Sequence, residues 1–210
     1  MGSYLNPSSK GFQESVRSKI YVDKSGLISC ANASLNTRQK YICVSRPRRF
    51  GKSMAADMLA AYYVRNEDSS ALFQGLKISH DPSYQAHLNQ YDVIKLNMQE
   101  FLSSTHSANE MLQRLKRYLI MELTDQFPDV RYLDATDFIQ VMRDVYTATN
   151  RPFIILIDEW DCLFREYSCD TESQRKYLDF LRVWLKDQAY VALAYMTAFC
   201  PSNNMGRILH

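Results

Sequence analysis

The chain has 210 residues, 46% of them hydrophobic, and a formal net charge of +2. That is enough apolar content for one sizeable core, and with no Pro/Gly/Ser-rich linker inside the chain a single domain is expected. The small charge excess does not by itself imply a nucleic-acid or membrane partner and leaves the partner open. Five cysteines with no CxxC pair argue against a zinc site or disulfide framework and for reduced thiols.

In chain order, residues 1–11 read as a flexible N-terminus. Met1 to Lys10 is polar and lacks the apolar core of a signal peptide, and no apolar run is long enough to span a bilayer, so a cytoplasmic protein without a membrane partner is expected. Tyr41 to Ser45 is the first of four short apolar runs predicted to be buried strands; the others are Val93 to Asn97, Phe153 to Asp158 and Val191 to Thr197. Each is continuous, as a parallel strand covered on both faces should be.

Helical periodicity fills the intervals. Met54, Met58, Leu59 and Tyr62 recur on one face after Ser53. Ser107 and Glu110 have the spacing of a capping box ahead of Met111, Leu112, Leu115 and Leu119. Phe138, Val141, Met142 and Val145 form a third stripe, and Tyr177, Phe180, Leu181, Trp184 and Leu185 a fourth. Strands alternating with helices predict an α/β fold of three layers, α/β/α, around a mostly parallel sheet.

Two segments carry chemistry. The first is Arg46-Pro47-Arg48-Arg49-Phe50-Gly51-Lys52-Ser53-Met54, a loop that follows the first strand and opens a helix with Gly-Lys-Ser. Unpaired N–H groups at a helix N-terminus, with the helix dipole, make a site for an anion such as a phosphate. Gly51 allows close backbone approach, Lys52 supplies a point charge for phosphate oxygens, and the Ser53 hydroxyl suits a magnesium ion. A strict GxxxxGK[ST] pattern wants glycine at Arg46, so the tripeptide needs a second element to support it. Arg46, Arg48 and Arg49 concentrate positive charge, for which a solvated turn is the commoner fate.

The second element is Phe153-Ile154-Ile155-Leu156-Ile157-Asp158-Glu159, which delivers two adjacent carboxylates at the carboxyl end of a strand, the edge where α/β sheets bind ligands. Asp158 is the expected magnesium ligand with Ser53, and Glu159 the expected base for an attacking water. Asp161 is read as a cap for the next segment in preference to a supporting role. Thr197, ending the fourth strand, is the candidate sensor of a γ-phosphate or water, with a buried strand-end threonine as the alternative. The expected cofactors are therefore a nucleoside triphosphate and Mg2+, with Glu159, Lys52 and Thr197 as the catalytic set.

These stretches resemble the AAA-ATPase-like family of bacteria and archaea. The resemblance rests on Tyr21-Val22-Asp23-Lys24-Ser25-Gly26-Leu27-Ile28, on Ser45 to Met54 with Arg46 in the glycine position, on Leu72-Phe73-Gln74-Gly75-Leu76-Lys77-Ile78, and on Leu156-Ile157-Asp158-Glu159-Trp160-Asp161. It spans about Phe12 to Thr197. It implies ATP binding and hydrolysis in a doubly wound sheet, usually with a nuclease-like domain of the PD-(D/E)XK type further along the chain. It supplies no substrate, and it favours adenine over guanine. Residues 12–197 are thus expected to form the P-loop domain.

From Ala198 to His210 the wording departs from that pattern. It is expected to be a frameshift product, one base dropped after Thr197, in a chain truncated before a fifth strand and lid; Arg207 is accordingly not a candidate catalytic arginine. Two further functions stay open, a nucleotide-binding interaction module without hydrolysis and phosphotransfer to a small acceptor. A protein partner or a second copy of the chain fits the first; nothing in the sequence indicates nucleic acid.

Overall fold

The computed structural model describes residues 2–47 and 49–199. Four parallel strands form one sheet: β1 (Tyr41–Arg46), β2 (Asp92–Asn97), β3 (Phe153–Asp158) and β4 (Val191–Phe199), in the spatial order β1-β4-β3-β2. The fourth strand in sequence is therefore inserted between the first and third. The expected strand positions hold to within two residues at each end.

Every residue of β3 is buried, and its alternation sorts the two faces. Phe153, Ile155 and Ile157 join one apolar cluster, while Ile154 and Leu156 join the other. The first cluster is covered by α6 (Met98–Ser103), α7 (Ala108–Gln126), α8 (Phe138–Thr149), α9 (Cys162–Glu166) and α10 (Thr171–Leu185). The second is covered by α1 (Lys10–Val16), α2 (Gly26–Ser34), α3 (Lys52–Tyr63), α4 (Ser70–Phe73) and α5 (Tyr84–His87). The layers are those of a three-layer α/β/α fold.

Local chemistry starts the helices. Asn97, Asp137 and Asp170 each accept a backbone N–H of the first turn of α6, α8 and α10. The predicted box at α7 is only half made. Ser107 Oγ accepts from Glu110 N, but the Glu110 carboxylate takes the N–H of His106 instead of Ser107. The apolar stripes on α7, α8 and α10 are all buried, and Trp184 is fully so; truncating such a residue costs about 3–5 kcal/mol.

One expectation is corrected. The run Tyr41 to Ser45 is not covered on both faces. Tyr41, Cys43, Ser45 and Arg46 are exposed and Ile42 and Val44 half-buried, because among the described residues β1 pairs with β4 alone and forms an edge. Within residues 1–11, expected to be a flexible N-terminus, Ser3 to Leu5 make specific contacts. Ser3, Tyr4 and Leu5 donate their N–H groups to Glu122 at 2.7, 2.9 and 2.7 Å, and Leu5 bridges Ile94 antiparallel along the outer edge of β2. Of the expected foreign tail, Ala198 and Phe199 simply continue β4, and Cys200–His210 lies outside the described residues.

Candidate nucleotide site

The segments that follow the carboxyl ends of β1, β2 and β3 line one cavity of about 510 Å³, among them Arg49, Lys52, Ser53, Gln99, Glu159 and Glu166. A roomier cavity of about 660 Å³ lies at the amino end of β1, beside Lys40, Tyr41 and Asp187, away from both chemical segments.

The loop before α3 turns into the helix through Gly51, whose φ of 73° is left-handed and strained for any residue with a Cβ. A Cβ there would lie 3.0 Å from Lys24 Nζ and 3.2 Å from Met54 Cε, tight contacts with the ends of two flexible side chains, so the backbone angle is the stronger reason for glycine. Arg49 also has positive φ, 67°. Lys52 folds back on its own loop, donating to the carbonyl oxygens of Arg46 at 3.0 Å and Pro47 at 3.1 Å. Phe50 is exposed. Arg48, named with this segment, lies outside the described residues.

Ser53 and Asp158 meet. The Ser53 hydroxyl donates to Asp158 Oδ2 at 2.5 Å, and the Thr197 hydroxyl donates to Asp158 Oδ1. Thr197 also accepts the Glu159 N–H at 3.2 Å, and its carbonyl accepts the Trp160 N–H at 3.1 Å. Thr197 is fully buried, so its hydroxyl reaches the cavity only through the two carboxylate residues it holds. The Asp158 charge contributes to the raised pKa of the neighbouring Tyr195 phenol, after burial as the main cause, at about 12.

Glu159 has a left-handed φ of 52°, a conformation that holds only when its surroundings fix it. Asp161 sits at the start of α9, but its side chain does not cap the helix, contrary to expectation. Its carboxylate instead takes Arg165 Nη1 and the N–H of Phe199 at 3.1 Å. Arg165 is pulled down in pKa by burial, yet the hydrogen bond and charge of Glu159 together with the charge of Asp161 outweigh that and raise it. Arg165, Gln99 and Glu166 had no signal in the sequence: each is a polar residue on a short helix whose role depends on which strand ends lie beside it.

The segment Tyr21 to Ile28 acquires a physical role. Asp23 accepts the N–H groups of Ser25 and Lys77, both at 2.8 Å, and Ser25 Oγ accepts that of Ile78 at 3.1 Å. Lys24 Nζ then donates to the Phe50 carbonyl at 2.8 Å. This stretch therefore ties Leu72–Ile78 to the loop before α3.

A hydroxyl and a carboxylate oxygen in direct contact form a hard-oxygen pair of the kind magnesium takes. Among the described residues no group of three or more His, Cys, Asp or Glu gathers as a metal cluster. None of the described helices is long and apolar enough to cross a membrane.

A family model described as "Predicted AAA-ATPase" matches residues 11–199. No curated protein matches the chain.

Proposed function

Because the chain belongs to the AAA-ATPase-like family, we propose that the cavity binds ATP with Mg2+ and that the protein hydrolyses it. The observation that carries this reading is the contact between Ser53 and Asp158, which joins the two chemical segments into one site. The N-terminus of α3 offers N–H groups and a positive dipole end to the phosphates. Lys52 exchanges its two loop carbonyls for phosphate oxygens, a charged acceptor in place of neutral ones.

Ser53 and Asp158 would hold the magnesium, whose charge, when it is bound, offsets that of the phosphates and withdraws electrons from the phosphoryl oxygens. Glu159 takes the proton of the attacking water, and Thr197 steadies both carboxylate residues through Asp158 Oδ1 and the Glu159 N–H. Turnover coupled to movement of a partner or a further domain fits this family's kind of module.

A second reading is a nucleotide-dependent interaction module that does not hydrolyse. It is favoured by β1, which among the described residues pairs with β4 alone, so that its other edge offers backbone groups to a partner strand.

The test is phosphate release from ATP by the whole chain, with magnesium or with chelator, for the wild type, Lys52→Ala and Glu159→Gln. Magnesium-dependent turnover is expected in the wild type. Lys52→Ala loses nucleotide affinity, whereas Glu159→Gln keeps it and loses about 10²- to 10⁴-fold in kcat. Tight binding by the wild type with no turnover would establish the interaction module instead.

A further inference from the structure

The contacts of the Glu159 side chain lead to a residue outside both chemical segments. Arg165, on α9, donates from Nη2 to Glu159 Oε2 at 2.7 Å and to Gln99 Oε1 at 3.0 Å. From Nη1 it donates to both oxygens of Asp161, at 3.1 and 3.2 Å. Gln99 is itself oriented, since its amide nitrogen donates to Glu166 Oε1 at 2.5 Å and to Ser103 Oγ at 3.2 Å. The Phe199 ring centroid lies 5.6 Å from the guanidinium carbon and 5.9 Å from Lys52 Nζ, so the end of β4 packs beside both cations.

An exposed ion pair between two flexible side chains contributes almost nothing. This pair differs in two respects. The side chains are only 22% and 29% exposed, and the guanidinium is already fixed by Asp161 and Gln99. Glu159 therefore docks on a preordered planar fork and gives up little more entropy than its own rotamers. Arg165 engages Oε2, which leaves Oε1 uncommitted to this fork and able to accept a proton. A cation beside a base also lowers its proton affinity, so the arginine has two opposed effects on turnover. A misplacement of about 1 Å in a reacting group costs about 10²-fold, and orientation is the larger effect.

We infer that Arg165 is the positioning residue for Glu159, held in register by Asp161 and Gln99. The inference rests on the reading of Glu159 as the base for water. Glu166 takes part at one remove, by fixing the Gln99 amide.

The experiment measures kcat for ATP hydrolysis, and separately the affinity for a fluorescent ATP analogue, in the whole chain carrying Arg165→Ala, Arg165→Lys, Glu159→Gln or Glu159→Gln with Arg165→Ala. Arg165→Ala is expected to lower kcat about ten- to hundredfold while affinity stays within about threefold, since the lost group acts on the base and not on the nucleotide. Arg165→Lys should recover part of the loss, because lysine keeps the charge without the fork. In the Glu159→Gln background removal of Arg165 should change nothing further. If the alanine variant does not fold, a fall in kcat at unchanged affinity in Arg165→Lys supports the inference and wild-type kcat in it overturns it.

An unchanged or raised kcat in Arg165→Ala, or losses that add in the double variant, overturns the positioning role even when Glu159→Gln is inactive. Full turnover by Glu159→Gln, or none by the wild type, overturns the reading of Glu159 itself and the inference with it.

Discussion

The Ser53 hydroxyl lies 2.5 Å from Asp158 Oδ2 although 105 residues separate the two in sequence. It joins the helix that follows the loop of residues 46–51 to the end of the sheet's most buried strand. A cation with hard-oxygen preference would replace this hydrogen bond, taking both atoms as ligands. Ser53→Ala is therefore expected to raise the magnesium concentration needed for half-maximal ATP turnover by about ten- to a hundredfold. A magnesium titration of the variant with an unaltered midpoint would remove Ser53 from the metal site.

Thr197 supports the site from inside the sheet. Its side chain is fully buried, donates to Asp158 and accepts from the Glu159 N–H. Thr197→Val keeps the shape and strands both partners, so it should cost about 1–3 kcal/mol in urea unfolding. Thr197→Ser, which retains the hydroxyl, should recover most of that. A valine variant as stable as the wild type would mean that Asp158 and Glu159 find other partners.

Asp23 gives a pH signature. Burial raises its carboxyl pKa, but the N–H groups of Lys77 and Ser25 and the Ser25 hydroxyl outweigh burial and hold it below the ordinary aspartate value. The folded value is the depressed one, so the stabilisation is complete above the unfolded pKa of about 3.9 and is lost as pH falls through the folded value. Asp23→Asn should melt below the wild type at neutral pH, and the gap should narrow as the pH drops below about 4. Thermal melts with the same gap at both ends of that range would rule out the Asp23 carboxylate as the tie between Ser25 and Lys77.

Much of the site was legible before the fold. Gly51, Lys52 and Ser53 follow an apolar strand and open a helix, and Asp158 and Glu159 end another, so each group's chemistry and local geometry is encoded within a few residues. Lys24 was not legible in the same way. It belongs to a recognisable stretch, but its amine serves the Phe50 carbonyl, 26 residues away. Asp161 was misread for a similar reason: an aspartate before a short helix is normally a cap, and only the arrival of Phe199 and the placement of Arg165 gave its carboxylate better partners.

What the sequence determined by itself were the strands, the helices α3, α7, α8 and α10 and the two chemical segments, because apolar periodicity and backbone propensity act over a turn or a strand length. The tertiary structure decided the strand order, with β4 between β1 and β3, and through it which side chains meet. That insertion brings Thr197 to Asp158 and Phe199 to Asp161, and it leaves β1 with one neighbour among the described strands. Hydrogen bonds between distant residues depend on which strand ends become neighbours, and burial of both faces of the sheet fixes that choice collectively.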